Sequence, residues 1–589
     1  MVKTLPRKDV AIVGLGWTGS ILAYELTGAG LDVVAIERGE WRDTATDFPP
    51  AWAPDELRYG VRLDLFQRPA QGTVTLRNNM SQTALPVRQF VSFLPGNGVG
   101  GAGVHWNGMT YRFLPTDFQL RSHVTQRYGA KAIPDDMTIQ DWGVTYEEME
   151  PYYDKFEKLA GISGKAGNLN GQIQAGGNPF EGARASEYPT KPTTPTYGPS
   201  LFAKAAESLG YHPFHVPSGN LSESYTNPLG VTMGQCSYCG FCERFGCGNY
   251  SKSSPQTCVL PALMLRKNFE ARTKCNVTRI NLDNTGKKAT GVTYVDAKGE
   301  EVYQPADMVL VCNFSFNAVH LLMVSGIGTI YDPKTGKGTV GRNYAYQCDS
   351  GVALQLPEGT HLNKFIAGGA IGMVIDDFNG DNFDHTGLGF IGGGNMGATV
   401  TGGRPIQQLS MMPGAPSWGA GWKKAAKESY QTVYGLGAQG SSYSYKDCYL
   451  DLDPTYKDPY GSPLLRMTFD WKPNELKMSA YITAKLEEIA KAMGAVSTHA
   501  APRKGNYVVT VYQSTHNTGG AVMGDDPSTS VVNKYGQSWD VPNVFVFGAA
   551  LFPQNHGYNP TGTVGAQAYL GADGIVNQYI KSPGALLHV

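Results

Sequence analysis

The sequence has no run of about twenty apolar residues, so no membrane-spanning helix is expected from it. It also has no basic surplus: the formal net charge is −1, with 17% charged residues. Such a balance offers a polyanion little to bind, and nucleic acid is not expected as a partner. Internal repeats and low-complexity tracts are missing, which excludes solenoids and long linkers. The haem-attachment motif C-x-x-C-H does not occur. Cysteine is sparse, nine in 589 residues, yet four of them fall within the twelve positions of 236–247. The other five, Cys258, Cys275, Cys312, Cys348 and Cys448, carry no pairing cue and are read as buried, reduced side chains.

Glycine, by contrast, is abundant, with 73 residues gathered mainly in loops. A chain of 589 residues is too long for one ordinary core and implies two domains or a large interleaved pair. The opening "MVKTLPRKDVAIVGLGWTGS" passes from basic to apolar residues as a leader would. Its apolar part is short and runs directly into a glycine fingerprint, so no cleaved secretory signal is expected here.

"DVAIVGLGWTGSILAYELTGAGLDVVAIERG" reads as strand, tight turn, helix and strand. Gly14, Gly16 and Gly19 form G-x-G-x-x-G: the first allows the turn, the second close approach of a pyrophosphate, and the third close helix packing. The helix from about Thr18 directs its positive end at the phosphates. Glu37 closes the second strand, where a carboxylate accepts ribose hydroxyls. Together these predict dinucleotide binding.

A second glycine loop, "GNGVGGAGVHWNG" at 96–108, can pass close to a flat ligand through Gly98 and Gly101, and it carries His105 and Asn107. Near the end, "STHNTGGAVMGDDP" holds His516. A strand, the small-residue turn Gly548–Ala549 and a helix opening at "NPTGT" then place Asn559 and Thr561 at a helix start. Read alone, Asn559 is a helix cap, and His556 competes with His516 as a proton acceptor. The cysteine run is C-x2-C-x2-C-x4-C, from Cys236 through Cys239 and Cys242 to Cys247. It is one residue longer than the ferredoxin-type C-x2-C-x2-C-x3-C-P run and lacks its proline. Spacing favours an iron–sulfur cluster over structural zinc, which usually takes two well-separated pairs, and over two disulfides.

These segments, in this order, together with "NFSFNAVHLLMVSGIG" at 313–328, resemble the glucose–methanol–choline (GMC) oxidoreductases over most of the chain. The resemblance implies an α/β (α+β) fold, with a Rossmann-like FAD-binding domain and an antiparallel-sheet substrate domain. It implies FAD held by Gly14, Gly16, Gly19, Glu37, Gly98, Gly101, His105, Asn107, Val277, Gly548, Ala549 and Thr561, with His105 bonded covalently to the flavin as in pyranose-oxidising members. His516 and Asn559 match the family's catalytic pair. An imidazole with an ordinary pKa near 6.5 is free at neutral pH to take a hydroxyl proton, and Asn559 would hold the same oxygen in line.

An oxygen-using member needs no cluster, whereas a dehydrogenase passing single electrons to a cytochrome does. The cysteine run thus resembles the flavoprotein subunit of bacterial membrane-bound sugar and sugar-acid dehydrogenases, with "CSYCGFCERFGC" and "HWNGMTYR" closest to the gluconate 2-dehydrogenase branch. That resemblance implies oxidation of a secondary hydroxyl of a sugar acid. The alternative is the same chemistry on a polyol, keto-gluconate, glucoside or free sugar such as sorbitol, fructose or glucose. It further implies a cluster on Cys236, Cys239, Cys242 and Cys247, [3Fe–4S] rather than [4Fe–4S], a small chaperone-like partner with a twin-arginine signal, and a multihaem cytochrome c partner. The expected location is the periplasmic side of the inner membrane, held there by those partners.

Domain assignments follow from which segments must meet the flavin: 1–130, 228–345 and 500–589 in the FAD-binding domain, with 131–227 and 346–499 forming the substrate domain and a surface loop. The polar 166–199 is expected to be that loop, at a subunit contact. For an acidic substrate, Arg112 and Arg342 are the cationic candidates.

Overall fold

The computed structural model describes every residue except 1, 51, 53–54, 56–57, 59–64, 89–92, 401–408, 511–513 and 588–589. Its first sheet has eight strands. Strands Phe269–Arg272, Val33–Ile36, Lys8–Val13, the second half of Glu301–Val311, and Val544–Val546 lie side by side, all parallel. Residues Val10 to Ile12, Val33 to Ala35, Val309 to Val311 and Val544 to Val546 are wholly buried. Continuous apolar runs of this kind mark a parallel sheet covered on both faces. The first half of Glu301–Val311 instead pairs antiparallel with Ala289–Val295, which pairs with Asn276–Leu282. The segments "CNVTRINLD" and "KATGVTYVDAKGEEV" thus form one meander grown from the nucleotide sheet.

A second sheet of six antiparallel strands runs in the order Ser497–Ala501, Cys348–Gln355, Val433–Gly440, Gly394–Thr399, Gly372–Ile375 and Phe214–His215. In its register Asp349 lies opposite Gln439. The helix Pro473–Ala492 starts with proline at its first turn and covers Cys348–Gln355 and Val433–Gly440. Its Met478, Ile482, Leu486 and Ile489, spaced at helical intervals, are fully buried. Each such side chain contributes about 1.5–3 kcal/mol by leaving water.

The segment 166–199 is more firmly held than its composition suggests. Asn168–Leu169 and Gln172–Ile173 form a short hairpin. Arg184, only 1% exposed, pairs with Glu157 and lies 3.7 Å from the centre of the Tyr188 ring. One buried cation with an anion and an aromatic face pins a stretch that reads as loose loop.

Candidate active site

The fingerprint turn is built as its glycines require. Gly14 has φ +93°, and a Cβ on Gly19 would stand 2.1 Å from the Gly14 carbonyl oxygen, so only glycine lets the helix Trp17–Gly28 close on the turn. Glu37 accepts the amide N–H of Leu15 at 3.0 Å and of Gly39 at 2.9 Å, fixing the turn to the end of the second strand. The second glycine loop crosses the first: the Gly100 N–H donates to Leu15 O at 2.7 Å, and Gly101 has φ +52°.

Between them opens a cavity of about 500 Å³. Gly14, Gly16, Glu37, Gly101, His105, Asn107, Val277, Gly548, Ala549 and Thr561 all line it, as do His516 and Asn559. Gly19 and Gly98 stand off its wall. Gly98 (φ +114°) serves packing, since a Cβ there would meet the Glu40 carbonyl oxygen at 2.8 Å.

His105 closes the short helical turn Ala102–His105 and is 4% exposed. Its Nε2 has no hydrogen-bond partner, although its ring lines the cavity. Burial pushes its pKa down to about 3, and the charges of Lys252 and Arg244 act in the same direction. The ring is therefore neutral, with a nitrogen lone pair not used by the protein.

The His516 ring is held between two side chains, Gln347 and Asn559. Its Nδ1 meets Gln347 Oε1 in a short contact, and its Nε2 lies 3.2 Å from Asn559 Nδ2. Gln347 is wholly buried and donates Nε2–H to the carbonyls of His556 at 3.1 Å and Tyr558 at 3.2 Å. Those two bonds orient the amide, so its oxygen faces His516 and places the ring proton on Nδ1. Nε2 is left as the basic atom, with Asn559 beside it. Burial pushes the His516 pKa down to about 3, well below the ordinary value used in reading the sequence.

Asn559 does not cap the helix Thr561–Gly574, which has no side-chain cap; its Oδ1 is unpaired. His556 is excluded as the base: it is 1% exposed, its Nδ1 pairs with Asp117 at 2.9 Å, and it packs against Phe113 and Trp142. Gln347 was not found from sequence, because nothing in "YQCDSG" connects it to a histidine 169 residues away.

The four clustered cysteines are free thiols, so the two-disulfide reading is set aside. Among the described residues no group of three or more His, Cys, Asp or Glu side chains is gathered to hold a metal ion, so the placement of the side chains supports neither the zinc reading nor the iron–sulfur one. Each sulfur nonetheless has a polar hydrogen directed at it. The Tyr238 N–H lies 3.4 Å from Cys236 Sγ, Asn220 Nδ2 lies 3.4 Å from Cys242 Sγ, and the Lys252 N–H lies 3.4 Å from Cys247 Sγ. The Phe241 N–H and the Ser237 side chain serve Cys239, whose pKa burial nevertheless pushes up to about 11. Tyr238 and Arg244 take φ +56° and +68° to turn the backbone round these sulfurs. Lys252, wholly buried, donates to Cys242 O and Trp106 O at 2.7 Å and to Phe245 O at 2.8 Å. The Arg244 N–H donates to His105 O at 2.7 Å. The cysteine loop thus rests directly on the loop that carries His105.

The two arginines expected at an acidic substrate lie elsewhere. Arg112 is committed to Glu157 at 2.8 Å and Glu150 at 2.9 Å, and Arg342 stands beside Tyr331 off the cavity wall. The cations on the described wall are Arg38 and Arg244.

Two family models, each described as GMC oxidoreductase, match residues 135–348 and 444–568. The chain is 48% identical to the gluconate 2-dehydrogenase flavoprotein of Pantoea cypripedii, over 99% of this chain and 96% of that one. It is 26% identical to 2-methyl-1,2-propanediol dehydrogenase of Mycolicibacterium austroafricanum, over 98% and 97% of the two chains. Among solved structures, pyridoxine 4-oxidase from Mesorbium loti matches with a TM-score of 0.57 at 16% identity, covering 98% of this chain and 100% of that one. The last similarity is one of fold alone.

Proposed function

Since the chain belongs to the GMC oxidoreductase family, we propose that it is the FAD-dependent flavoprotein of a dehydrogenase oxidising a secondary hydroxyl of a sugar acid of the gluconate type. The observation that carries the reading is the His516–Asn559 pair with Nε2 left basic on the wall of a cavity that also runs past the glycine fingerprint. The cavity fits FAD: the crossed glycine loops leave backbone room for the pyrophosphate, and Glu37 keeps lone pairs for the ribose. His105 Nε2, buried and unpartnered, suits a covalent bond to the flavin.

FAD, when bound, supplies the acceptor for the hydride leaving the carbinol carbon. His516 Nε2 takes the hydroxyl proton, and the Nδ1–H bond to Gln347 steadies the ring as it becomes charged. Asn559 Nδ2 donates to the substrate oxygen and aligns it, having no proton of its own to exchange.

The four cysteines suit an iron–sulfur cluster, [3Fe–4S] being favoured, because N–H and O–H donors directed at the sulfurs are what thiolate ligands of a cluster require. Such a cluster supplies a one-electron path out of the protein. We further infer partners of the kind found with sugar-acid dehydrogenases, a small subunit carrying a twin-arginine signal and a multihaem cytochrome c, and action on the periplasmic side of the inner membrane. No helix among the described residues is long and apolar enough to cross a membrane.

The test is anaerobic spectroscopy of the purified chain before and after gluconate. Flavin bleaching with loss of an oxidised-cluster EPR signal is expected; an unchanged flavin spectrum with gluconate overturns the sugar-acid reading. Acid precipitation that releases all the yellow colour overturns the bond to His105. Coexpression with the partner genes should carry activity to the periplasmic membrane fraction, and activity remaining in the cytoplasm overturns that placement.

A further inference from the structure

Four oxygen acceptors on the cavity wall have no partner in the protein: Asn313 Oδ1, Asn559 Oδ1, Asp349 Oδ1 and Gln439 Oε1. Asn559 is accounted for by its pairing with His516 at the reacting hydroxyl, to which its Nδ2 donates, and Asn313 by its place beside Gly14 at the fingerprint turn. The other two are not, and they belong together, because Asp349 and Gln439 are direct cross-strand neighbours in the antiparallel sheet. Cross-strand partners project to the same face of a sheet.

Their distance from the chemistry follows from the chain. Gln347, which touches His516, precedes Asp349 by two residues. Residues two apart in extended backbone face the same way and are separated by about 7 Å. An extended chain of five or six carbons, with bonds of about 1.5 Å, covers that separation, whereas a one- or two-carbon alcohol bound at His516 does not.

The chemistry of the two groups fits a hydroxylated chain. A buried acceptor without a partner is costly, and a ligand rich in O–H donors is its natural complement. Burial lifts the Asp349 pKa to about 8, an effect partly offset by Arg503, whose Nε–H is bonded to the Asp349 carbonyl oxygen. At neutral pH the side chain is a neutral acid that gives one hydrogen bond, takes others, and does not repel an anionic substrate. Gln439 offers the same combination from the adjoining strand, and Thr399 adds a hydroxyl to the same wall.

We propose that Asp349 and Gln439 form a subsite for the hydroxyl groups of the substrate chain beyond the reacting carbon, making the enzyme selective for polyhydroxylated chains. The inference rests on the reading of His516 and Asn559 as the place where the alcohol is oxidised.

The test is steady-state and stopped-flow flavin reduction by gluconate, sorbitol and glucose in wild type, Asp349→Ala, Asp349→Asn, Gln439→Leu and the double variant Asp349→Ala/Gln439→Leu. For the substrate wild type reduces best, Asp349→Ala is expected to raise KM by about tenfold or more with kcat within about threefold. Asp349→Asn, which keeps a donor and an acceptor, recovers most of that loss. The double variant loses less than the product of the single effects, because both groups hold one ligand chain. Flavin content and melting temperature show that the variants are folded. An unchanged KM in Asp349→Ala, or multiplicative single effects, overturns the subsite alone. Wild-type flavin left oxidised by all three substrates overturns the functional reading and the subsite with it.

Discussion

Replacing Gln347 by methionine keeps length and volume while removing both halves of its amide. His516 then loses the acceptor that fixes its proton on Nδ1 and that would stabilise the charged ring once the substrate proton has arrived. A hydrogen bond to a charged group contributes about 1.5–3 kcal/mol. At about 1.4 kcal/mol per factor of ten, Gln347→Met should slow hydride transfer by roughly 10- to 150-fold. KM should change little, since Gln347 touches the base and the carbonyls of His556 and Tyr558 but is placed by the structure behind His516. The assay is single-turnover flavin bleaching at saturating substrate, with and without deuterium on the reacting carbon, so that chemistry is known to be the step observed. Orphaning the two buried carbonyls also costs about 1–3 kcal/mol each, visible as a lower melting temperature. A bleaching rate within twofold of wild type, or a loss confined to KM, refutes the reasoning.

Four other outcomes are expected. His516→Ala should lower the bleaching rate by about 10²–10⁴ while flavin content stays at the wild-type level, and normal turnover would end its assignment as base. Because burial holds His516 near 3, below the ordinary histidine range, the base is neutral from pH 5 to pH 8 (roughly) and is lost only as pH falls through the lowered value; a bleaching rate that drops on the acid side with a midpoint near 6.5 would contradict this. Cys242→Ser should strip iron and labile sulfide from the purified chain and leave the flavin spectrum in place; iron content equal to wild type would remove Cys242 from the ligand set. Gly19→Ala forces a Cβ to within 2.1 Å of the Gly14 carbonyl oxygen, so the protein should emerge depleted of FAD, and full flavin loading would show that the turn can yield.

The parts of the site that were legible in the sequence each carry a local signal. Gly14, Gly16, Gly19 and Glu37 sit in a strand–turn–helix–strand frame, and the helix Pro473–Ala492 shows its buried face at regular spacing. His516 and Asn559 were found because each lies in a recognisable segment. What was missed has no such frame. Asp349 and Gln439 acquire meaning only when the antiparallel sheet brings them to the cavity, and Gln347 only when the fold sets it behind His516. Arg112 was set down as a cationic candidate for an acidic substrate, yet Glu150 and Glu157, on the helix Tyr146–Ala160, claim it. Burial shifted His516 far from its ordinary pKa, which composition does not reveal.

Lys252 ties the two loops of the redox region into one cooperative unit. Its ammonium group holds the Trp106 carbonyl on one side and the Cys242 and Phe245 carbonyls on the other. Lifting either loop alone would strand a buried cation, at a cost far above that of an ordinary frayed turn. The two loops therefore open together or not at all, and amide exchange in 100–107 and 242–252 should proceed as a single event. In a growing chain the earlier loop must wait, unfinished, until residue 252 arrives to close both.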